Sequence, residues 1–320
     1  MQKPFFSIVV VSLNPGERLE KTLNSILNQT YQNYEVILKD GGSKDGSLEL
    51  LKKKGFFEKN PKIKVIEQTD KSIYDGMNQA VSYASGEYLQ FLNCGDYFYS
   101  EAVLEEAAEY IKQEHEKMTG NKKNAVREEG NAVSEASGLK DNIRTEEKKK
   151  AGENVCLGES RYPAMIFYGN QYNQLQDTII YSAPQINDFT CYRNVPCHQV
   201  CFYDYRLFEK RAYELKYKVR ADYEHFLYSI YEEGARGVSM PMVVASYEGG
   251  GFSETKENRR QSALEHKEIT KKYLGNAKVL RYQAVMWFTL APLRTWMAEN
   301  PKLSGIYNGI KNGIYKILKP

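Results

Sequence analysis

This chain of 320 residues is poor in cysteine and tryptophan, carries little net charge and has no long hydrophobic run. Its five cysteines, at positions 94, 156, 191, 197 and 201, are odd in number and widely spaced. That argues against a disulfide framework and fits reduced thiols in a cytosolic setting. Cys191, Cys197, Cys201 and His198 cluster in sequence, but without a C-x-x-C pair they do not predict a zinc knuckle. A net charge of +3 is too small to suggest nucleic acid as a partner. The apolar run from Ala284 to Leu293 is too short to cross a bilayer as a helix. Met1-Gln2-Lys3-Pro4 leads directly into a predicted strand, which leaves no room for a cleaved leader. No G-x-G-x-x-G follows that strand, so the dinucleotide fingerprint of NAD-dependent dehydrogenases is missing. Aromatic residues are also absent from Glu114 to Arg161, a stretch dense in Lys, Glu, Asn, Gly and Ser. Burial there cannot offset the entropy of ordering, which predicts an exposed, mobile insertion.

What is present points to a folded body. Apolar residues make up 42% of the chain, and 25 tyrosines with 13 phenylalanines supply amphipathic surface. The charge is unevenly placed. Residues 271–320 hold nine Lys or Arg against Glu299 alone, whereas residues 1–270 hold 35 basic and 40 acidic groups. This basic tail, with Trp287 and Trp296 suited to headgroup level, predicts an anionic membrane surface, packing on the body, or a homodimer contact.

Hydrophobic periodicity predicts alternating strands and helices. Strands are expected at Phe6–Ser12, Tyr34–Leu38, Ile63–Glu67 and Tyr88–Leu92. Between them fall helices at Gly16–Asn28, from a cap at Ser43 or Asp45 to about Gly55, and at Ile73–Ala84. Another helix is expected over Glu101–Gln113. Beyond the polar stretch, strands are expected at Ala164–Gly169, Thr178–Tyr181, Val200–Tyr203 and Gly237–Ser246, the last broken by Pro241. Helices are expected at Tyr205–Tyr213 and Tyr223–Glu232. Repeated strand–helix–strand units predict an α/β fold with a mainly parallel central sheet flanked by helices. The expected organisation is a first half over 1–113, the insertion over 114–161, a second half over 162–255 and a basic amphipathic helical tail over 256–320.

Open α/β sheets hold ligands at the carboxyl ends of their strands. Two such ends carry carboxylates: Asp40, followed by Gly41-Gly42, and Asn93-Cys94-Gly95-Asp96. A divalent cation bridging a diphosphate needs few protein ligands, because phosphate oxygens and waters complete its shell. Asp96 can therefore hold a metal with Asn93 shaping the turn; the competing reading is a loop Asp that caps the helix from Glu101. Asp40 can accept from a base N–H or a ribose hydroxyl, or simply order its turn. Asp70 and Asp75 either line a nucleotide or sugar pocket or cap the helix that starts at Ile73. His198, in Pro196-Cys197-His198-Gln199, is placed to bind an acceptor hydroxyl or a donor phosphate, with a structural histidine as the alternative. Asp222 is the candidate general base, and an N-cap is its alternative role. His225 reads as structural.

Three blocks carry a family resemblance: Ser7-Ile8-Val9-Val10-Val11-Ser12-Leu13-Asn14, then Leu23 to Tyr31, then Glu35-Val36-Ile37-Leu38-Lys39-Asp40-Gly41-Gly42-Ser43-Lys44-Asp45-Gly46. With Asp70–Ala80, Leu92–Asp96, Cys197-His198-Gln199, Ala221-Asp222-Tyr223 and Gly249–Ser253, residues 5–255 resemble the inverting glycosyltransferases of family 2, which have the GT-A fold. Asp70–Ala80 and Leu92–Asp96 look like the branch of that family that builds bacterial surface and exopolysaccharides. The resemblance implies transfer of a sugar from a nucleotide-diphosphate donor, a UDP-sugar being favoured, to a glycan or lipid-linked glycan hydroxyl. It implies a Mn²⁺ or Mg²⁺ ion at Asp96, the last carboxylate of the DxD motif, and Asp222 as the base. Ser12, Asn14, Asp40, Asp70, Asp75, Asn93, Asp96 and His198 would surround the donor, with Asp40 on the base. It places the protein in the bacterial cytoplasm, peripheral to the inner face of the plasma membrane.

The chain departs from the pattern in three places. The first Asp of a full DxD is missing, Gly76 replaces a frequent Ala, and the polar insertion is atypical. A nucleotidyltransferase is the rival enzyme class, but Leu13-Asn14-Pro15-Gly16-Glu17-Arg18 is poor in the glycine and lysine that grip a triphosphate. A non-catalytic binder of sugar nucleotides or glycans is the rival from outside enzymology.

Overall fold

The computed structural model describes residues 3–118, 162–249 and 255–289. The first half alternates β1 (Phe6–Ser12), α1 (Arg18–Leu27), β2 (Tyr34–Asp40), α2 (Ser47–Lys53), α3 (Phe56–Lys59), β3 (Ile63–Glu67), α4 (Ile73–Val81) and β4 (Tyr88–Phe91). A two-residue strand, β5 (Tyr97–Phe98), precedes α5 (residues 103–118). The second half contains β6 (Met165–Asn173), β7 (Thr178–Ile180), α6 (Asp188–Arg193), a 3₁₀ turn (His198–Val200), β8 (Cys201–Asp204), α7 (Tyr205–Lys210), α8 (Ala221–Tyr231), β9 (Arg236–Tyr247) and α9 (Lys256–Phe288).

All seven residues of β1 are buried, as a strand covered on both faces requires. Its side chains alternate between two cores. Ile8 and Val10 join Leu19, Leu23 and Ile26 of α1 and the apolar stripe of α5; Val9 and Val11 join Met77 and Ala80 of α4 and Phe226 of α8. The result is a helix–sheet–helix sandwich. Strands run in the order β3-β2-β1-β4-β8-β6-β9-β5, with β7 paired to β6. β1 through β4 are mutually parallel, β8 is antiparallel to β4 and β6, and β9 is again parallel to β6. The sheet is mixed but mostly parallel. β1 has β2 on one side and β4 on the other, so the loops that follow these three strands meet at one carboxyl edge.

Several element boundaries differ from the sequence expectation for identifiable reasons. Gly46, at φ +79°, occupies the N-cap position of α2, but Asp45 just before it accepts the N–H of Ser47, the first helical residue, at 3.1 Å, whereas Ser43 binds the loop groups of Asn14 and Asp40. β9 is not broken at Pro241. A register shift between the Tyr168–Ser239 and Asn170–Val243 pairs makes a bulge around it, where a missing N–H does no harm. The bulge presses the Met242 carbonyl within 2.7 Å of where a Cβ on Gly169 would sit, so only glycine fits opposite. α5 runs past Gln113 to residue 118. His115 on its last turns stacks on Tyr162 at 4.0 Å and bonds the Tyr88 hydroxyl at 2.9 Å, contacts that give this polar turn something to pack on. The rest of the expected insertion, 119–161, lies outside the described residues.

The tail begins as part of the body. Glu265, Ile269, Thr270, Leu274 and Val279 of α9 are buried, against α6 and α8. Fully buried Glu224 of α8 is held by Arg211 at 2.6 Å and by Lys272 of α9 at 2.8 Å. α9 is two helical segments that meet at Gly275, whose φ of +74° a side chain would strain. Past Tyr282, which touches Phe189 and Tyr192, the helix carries exposed Val285, Trp287 and Phe288. Among the described residues, no helix is long and apolar enough to cross a membrane.

Candidate active site

The loops after β1 and β2 are joined by polar contacts. Asp40, almost fully buried at the end of β2, accepts from the N–H groups of Gly42 (2.9 Å) and Ser43 (2.8 Å) and from the hydroxyls of Ser43 (2.5 Å) and Ser12 (3.1 Å). Asn14, at φ +48°, takes the Lys44 N–H on its side-chain oxygen and donates its own N–H to Ser43. Gly16 donates to Asp45 at 2.7 Å. Four donors already engage the Asp40 carboxylate, about its full capacity. Its turn-ordering role is therefore real.

Behind this loop lies a fully buried cation absent from the sequence expectations. Lys39 donates to Asp70 at 2.9 Å, to the Asp40 carbonyl at 3.1 Å and to the Gln68 carbonyl. The Asp70 carboxylate fits because glycines flank it. A Cβ on Gly41 would come within 2.7 Å of its oxygen, and one on Gly76 within 3.1 Å. Alanine at position 76 would thus crowd Asp70, which accounts for glycine there. Ser72 caps α4 by accepting the Asp75 N–H, and the Asp75 carboxylate reaches back out of the first turn to the Lys71 N–H at 2.8 Å, so Asp75 orders the helix start without being its cap. Asp70 is an ion-pair partner and does not cap.

The turn after β4 presents Asp96. Gly95, at φ +107°, makes the reversal, and Thr22 of α1 braces it by accepting the Gly95 N–H and donating to the Asp96 carbonyl. The Asp96 carboxylate is 5% exposed and receives Gln199 Nε2 at 3.0 Å and the Glu248 N–H at 3.3 Å. It does not cap the following helix. Burial pushes its carboxyl above the ordinary range, with the Gln199 and Glu248 hydrogen bonds opposing only in part. Burial likewise pushes the Cys94 and Cys197 thiols up to about 12, so neither neighbour is a thiolate nucleophile at neutral pH.

Across from this turn, Asp222 sits two residues past Arg220, which holds the N-cap position of α8, so Asp222 is not the N-cap. One of its oxygens accepts the Tyr74 hydroxyl at 2.8 Å; the other lies 2.8 Å from His198 Nδ1. His198 Nε2 lies 2.9 Å from the Asn93 amide nitrogen. As Asn93 is assigned from this network, its amide donates to Nε2, so the His198 proton is on Nδ1 and points to Asp222. Asn93 Oδ1 is then buried without a partner among the described residues. Burial works to raise the Asp222 carboxyl, but the hydrogen bonds from His198 and the Tyr74 hydroxyl outweigh it and hold the group below its usual range. Asp222 therefore stays ionised at neutral pH. With 22% of its side chain exposed, it has room to take a proton from an incoming hydroxyl.

Asn93, Asp96, His198 and Asp222 thus share one polar cluster, and α4 links it to Asp70 through Tyr74 and Gly76. Ser12, Asn14 and Asp40 form the adjoining loop pair. Gly250 to Ser253 lie outside the described residues. His225 is fully buried, stacked on Phe208 at 4.2 Å, and has a structural role. Lys39, Tyr74, Gln199 and Thr22 were missed by sequence reasoning. Only Lys39 left a signal, a charged residue inside an apolar strand pattern. A cavity of about 560 Å³ beside Tyr110, Ile186 and Arg236 opens at the amino end of β9, the opposite edge of the sheet.

Comparison with known proteins follows the same line. The family described as Glycosyl transferase family 2 matches residues 7–166, half of the chain. A "PGL/p-HBAD biosynthesis glycosyltransferase" of Mycobacterium bovis is 28% identical over 259 residues, covering 80% of this chain and 81% of the relative. S. aureus TarS 1–349 shares the fold, with a TM-score of 0.53 and 16% identity over 76% of this chain and 60% of that one. In its complex with UDP-GlcNAc the TM-score is 0.56, with 15% identity, 84% of this chain and 71% of that one covered. The mannosyltransferase PcManGT from Pyrobaculum calidifontis, in complex with GDP-Man and Mn²⁺, gives 0.54 at 14% identity, over 100% of this chain and 82% of that one.

Proposed function

Because the chain belongs to glycosyl transferase family 2, we propose that its carboxyl-edge cluster moves a sugar from a nucleotide-diphosphate donor to an acceptor hydroxyl with inversion. The observation that carries this reading is the Asp222 carboxylate, ionised and steered by His198 and Tyr74 while still open to solvent. Asp222 takes the acceptor proton as its oxygen attacks the anomeric carbon from the face opposite the departing diphosphate. One in-line displacement inverts the centre and needs no covalent enzyme intermediate. Ser12, Asn14, Asp40, Asp70 and Asp75 shape the donor side, chiefly by fixing the loops. A UDP-sugar is the favoured donor, supported by the fold shared with TarS in complex with UDP-GlcNAc. The acceptor is a glycan or lipid-linked glycan hydroxyl.

A divalent ion, Mn²⁺ or Mg²⁺, belongs at Asp96. The fit rests on a buried carboxylate with a raised pKa and no cation bonded to it among the described residues, beside the unpartnered Asn93 oxygen. Among those residues no cluster of three His, Cys, Asp or Glu could hold a metal unaided, so donor oxygens must complete the shell. When bound, the ion offsets charge on the diphosphate. The related PcManGT was solved with Mn²⁺, which supports the assignment.

The far end of α9 suits an anionic membrane surface at the inner face of the plasma membrane, where exposed Val285, Trp287 and Phe288 adjoin a basic tail. Replacing Trp287 and Phe288 with Glu should abolish sedimentation with anionic vesicles. Unchanged sedimentation, or a shift to a dimer in solution that these substitutions break, would assign the face to another partner.

The catalytic reading is tested by release of free nucleoside diphosphate from a panel of nucleotide-sugars. Release should require donor, acceptor and metal together. Binding of a donor with no release under any acceptor would make the protein a binder.

A further inference from the structure

α9 enters the chain as a tail, yet it holds the backbone that delivers Asp222. Glu265 is 3% exposed, and its carboxylate accepts three consecutive N–H groups: Lys218 at 2.8 Å, Val219 at 3.0 Å and Arg220 at 2.9 Å. Gln261 donates to the same carboxylate at 2.9 Å and fixes its rotamer. Two more ties run from α9 to this segment. Arg220 Nε donates to the Ser262 hydroxyl at 2.7 Å, and the Tyr217 hydroxyl donates to Glu268 at 3.0 Å.

The local sequence cannot do this work. Lys218-Val219-Arg220 offers no Ser, Thr, Asp or Asn to cap α8, and no side-chain cap is made at Arg220. A carboxylate supplied 45 positions later takes the N–H groups instead, by charge-assisted bonds that are stronger than neutral ones. The carbonyl of Val219 in the same segment meets the Tyr74 hydroxyl at 2.7 Å, and that hydroxyl also contacts Asp222. A shift of this segment would therefore disturb both partners of the base at once.

We propose that Glu265 is a positioning residue for Asp222, which makes the first turns of α9 part of the active centre. The proposal rests on Asp222 being the base. Glu265→Gln keeps the shape but turns one acceptor into a donor facing an N–H. It should lower kcat about 10-fold with donor KM changed less than about 2-fold. It should also move the acid limb of the kcat profile to higher pH, as Asp222 loses its hydrogen-bond alignment. In an Asp222→Asn background the same substitution should cause almost no further loss of kcat, because both act through one group.

Unchanged kcat in Glu265→Gln, or a full additional loss in the double variant, would overturn the proposal. Near-normal turnover in Asp222→Asn alone would instead remove the base assignment, and the two failures are thereby told apart. If Glu265→Gln does not fold, Glu265→Asp carries the same test, since it keeps the charge and withdraws it by one methylene.

Discussion

Tyr74 and Asp222 are 148 positions apart in sequence and 2.8 Å apart in the fold. The contact joins the N-terminal turn of α4 to that of α8 and, with His198 on the other oxygen, fixes the carboxylate in one orientation. Orientation matters here because a base acts only within hydrogen-bond reach of the proton it removes. The Tyr74 hydroxyl and His198 also keep the carboxyl ionised against the burial that would raise it.

Removing His198 should therefore change the pH dependence as well as the rate. In His198→Gln, the Asp222 carboxyl rises, and the acid limb of kcat should move up by about 1 pH unit or more. A pH profile of diphosphate release checks this. An acid limb that stays where it was would detach His198 from Asp222.

Asp96 carries the opposite shift. A carboxyl raised on folding means that the folded state binds the proton more tightly, so ionising it at neutral pH costs stability. Asp96→Asn should melt at the same temperature as the parent or higher, with Gln199 turning its amide to suit. Titration calorimetry should show that its metal-dependent affinity for the diphosphate is lost. A fall in melting temperature would mean that the ionised carboxylate stabilises the fold, contrary to this account.

Lys39 has no exposed atom to solvate its charge, and its partners are fixed. Lys39→Met leaves Asp70 in place without its counter-charge, and should cost about 3–5 kcal/mol in urea unfolding. A cost below about 1 kcal/mol would show that Asp70 finds enough solvent to stand alone.

His225 is buried neutral, its pKa lowered to about 4 chiefly by desolvation. The unfolded chain protonates this ring near the ordinary histidine value of about 6.5, before the folded protein does, so stability falls as pH drops from there to about 4. The total loss from this group is about 3 kcal/mol. His225→Asn should flatten the urea midpoint between pH 7 and pH 5 relative to the parent. An unaltered slope would place the acid sensitivity elsewhere.

The sequence made the first half of the fold readable because β1 to β4 and their helices follow simple periods with clean breaks. Phe6–Ser12 and Ile63–Glu67 match their observed limits. Legibility fell where long-range contacts decide. The bulge that carries Pro241 through β9 depends on Gly169 some seventy positions earlier, and α5 outruns Gln113 because His115 meets Tyr162 and Tyr88. Asp40 and Asp96 were visible by their places after apolar strands. The partners of the site carboxylates were not, because Tyr74, Gln199 and Glu265 acquire meaning only from the tertiary contacts they make. The tail was read mainly from its charge, with packing on the body as one alternative; which residues of α9 are buried was not legible from it.

The account depends most on Asp222 as the group that takes the acceptor proton, and one paired measurement addresses it directly. Donor affinity and single-turnover diphosphate release would be compared between the parent and Asp222→Asn under saturating Mn²⁺. The account predicts unchanged donor affinity and a rate at least ~100-fold lower. A variant that turns over at the parental rate would contradict it.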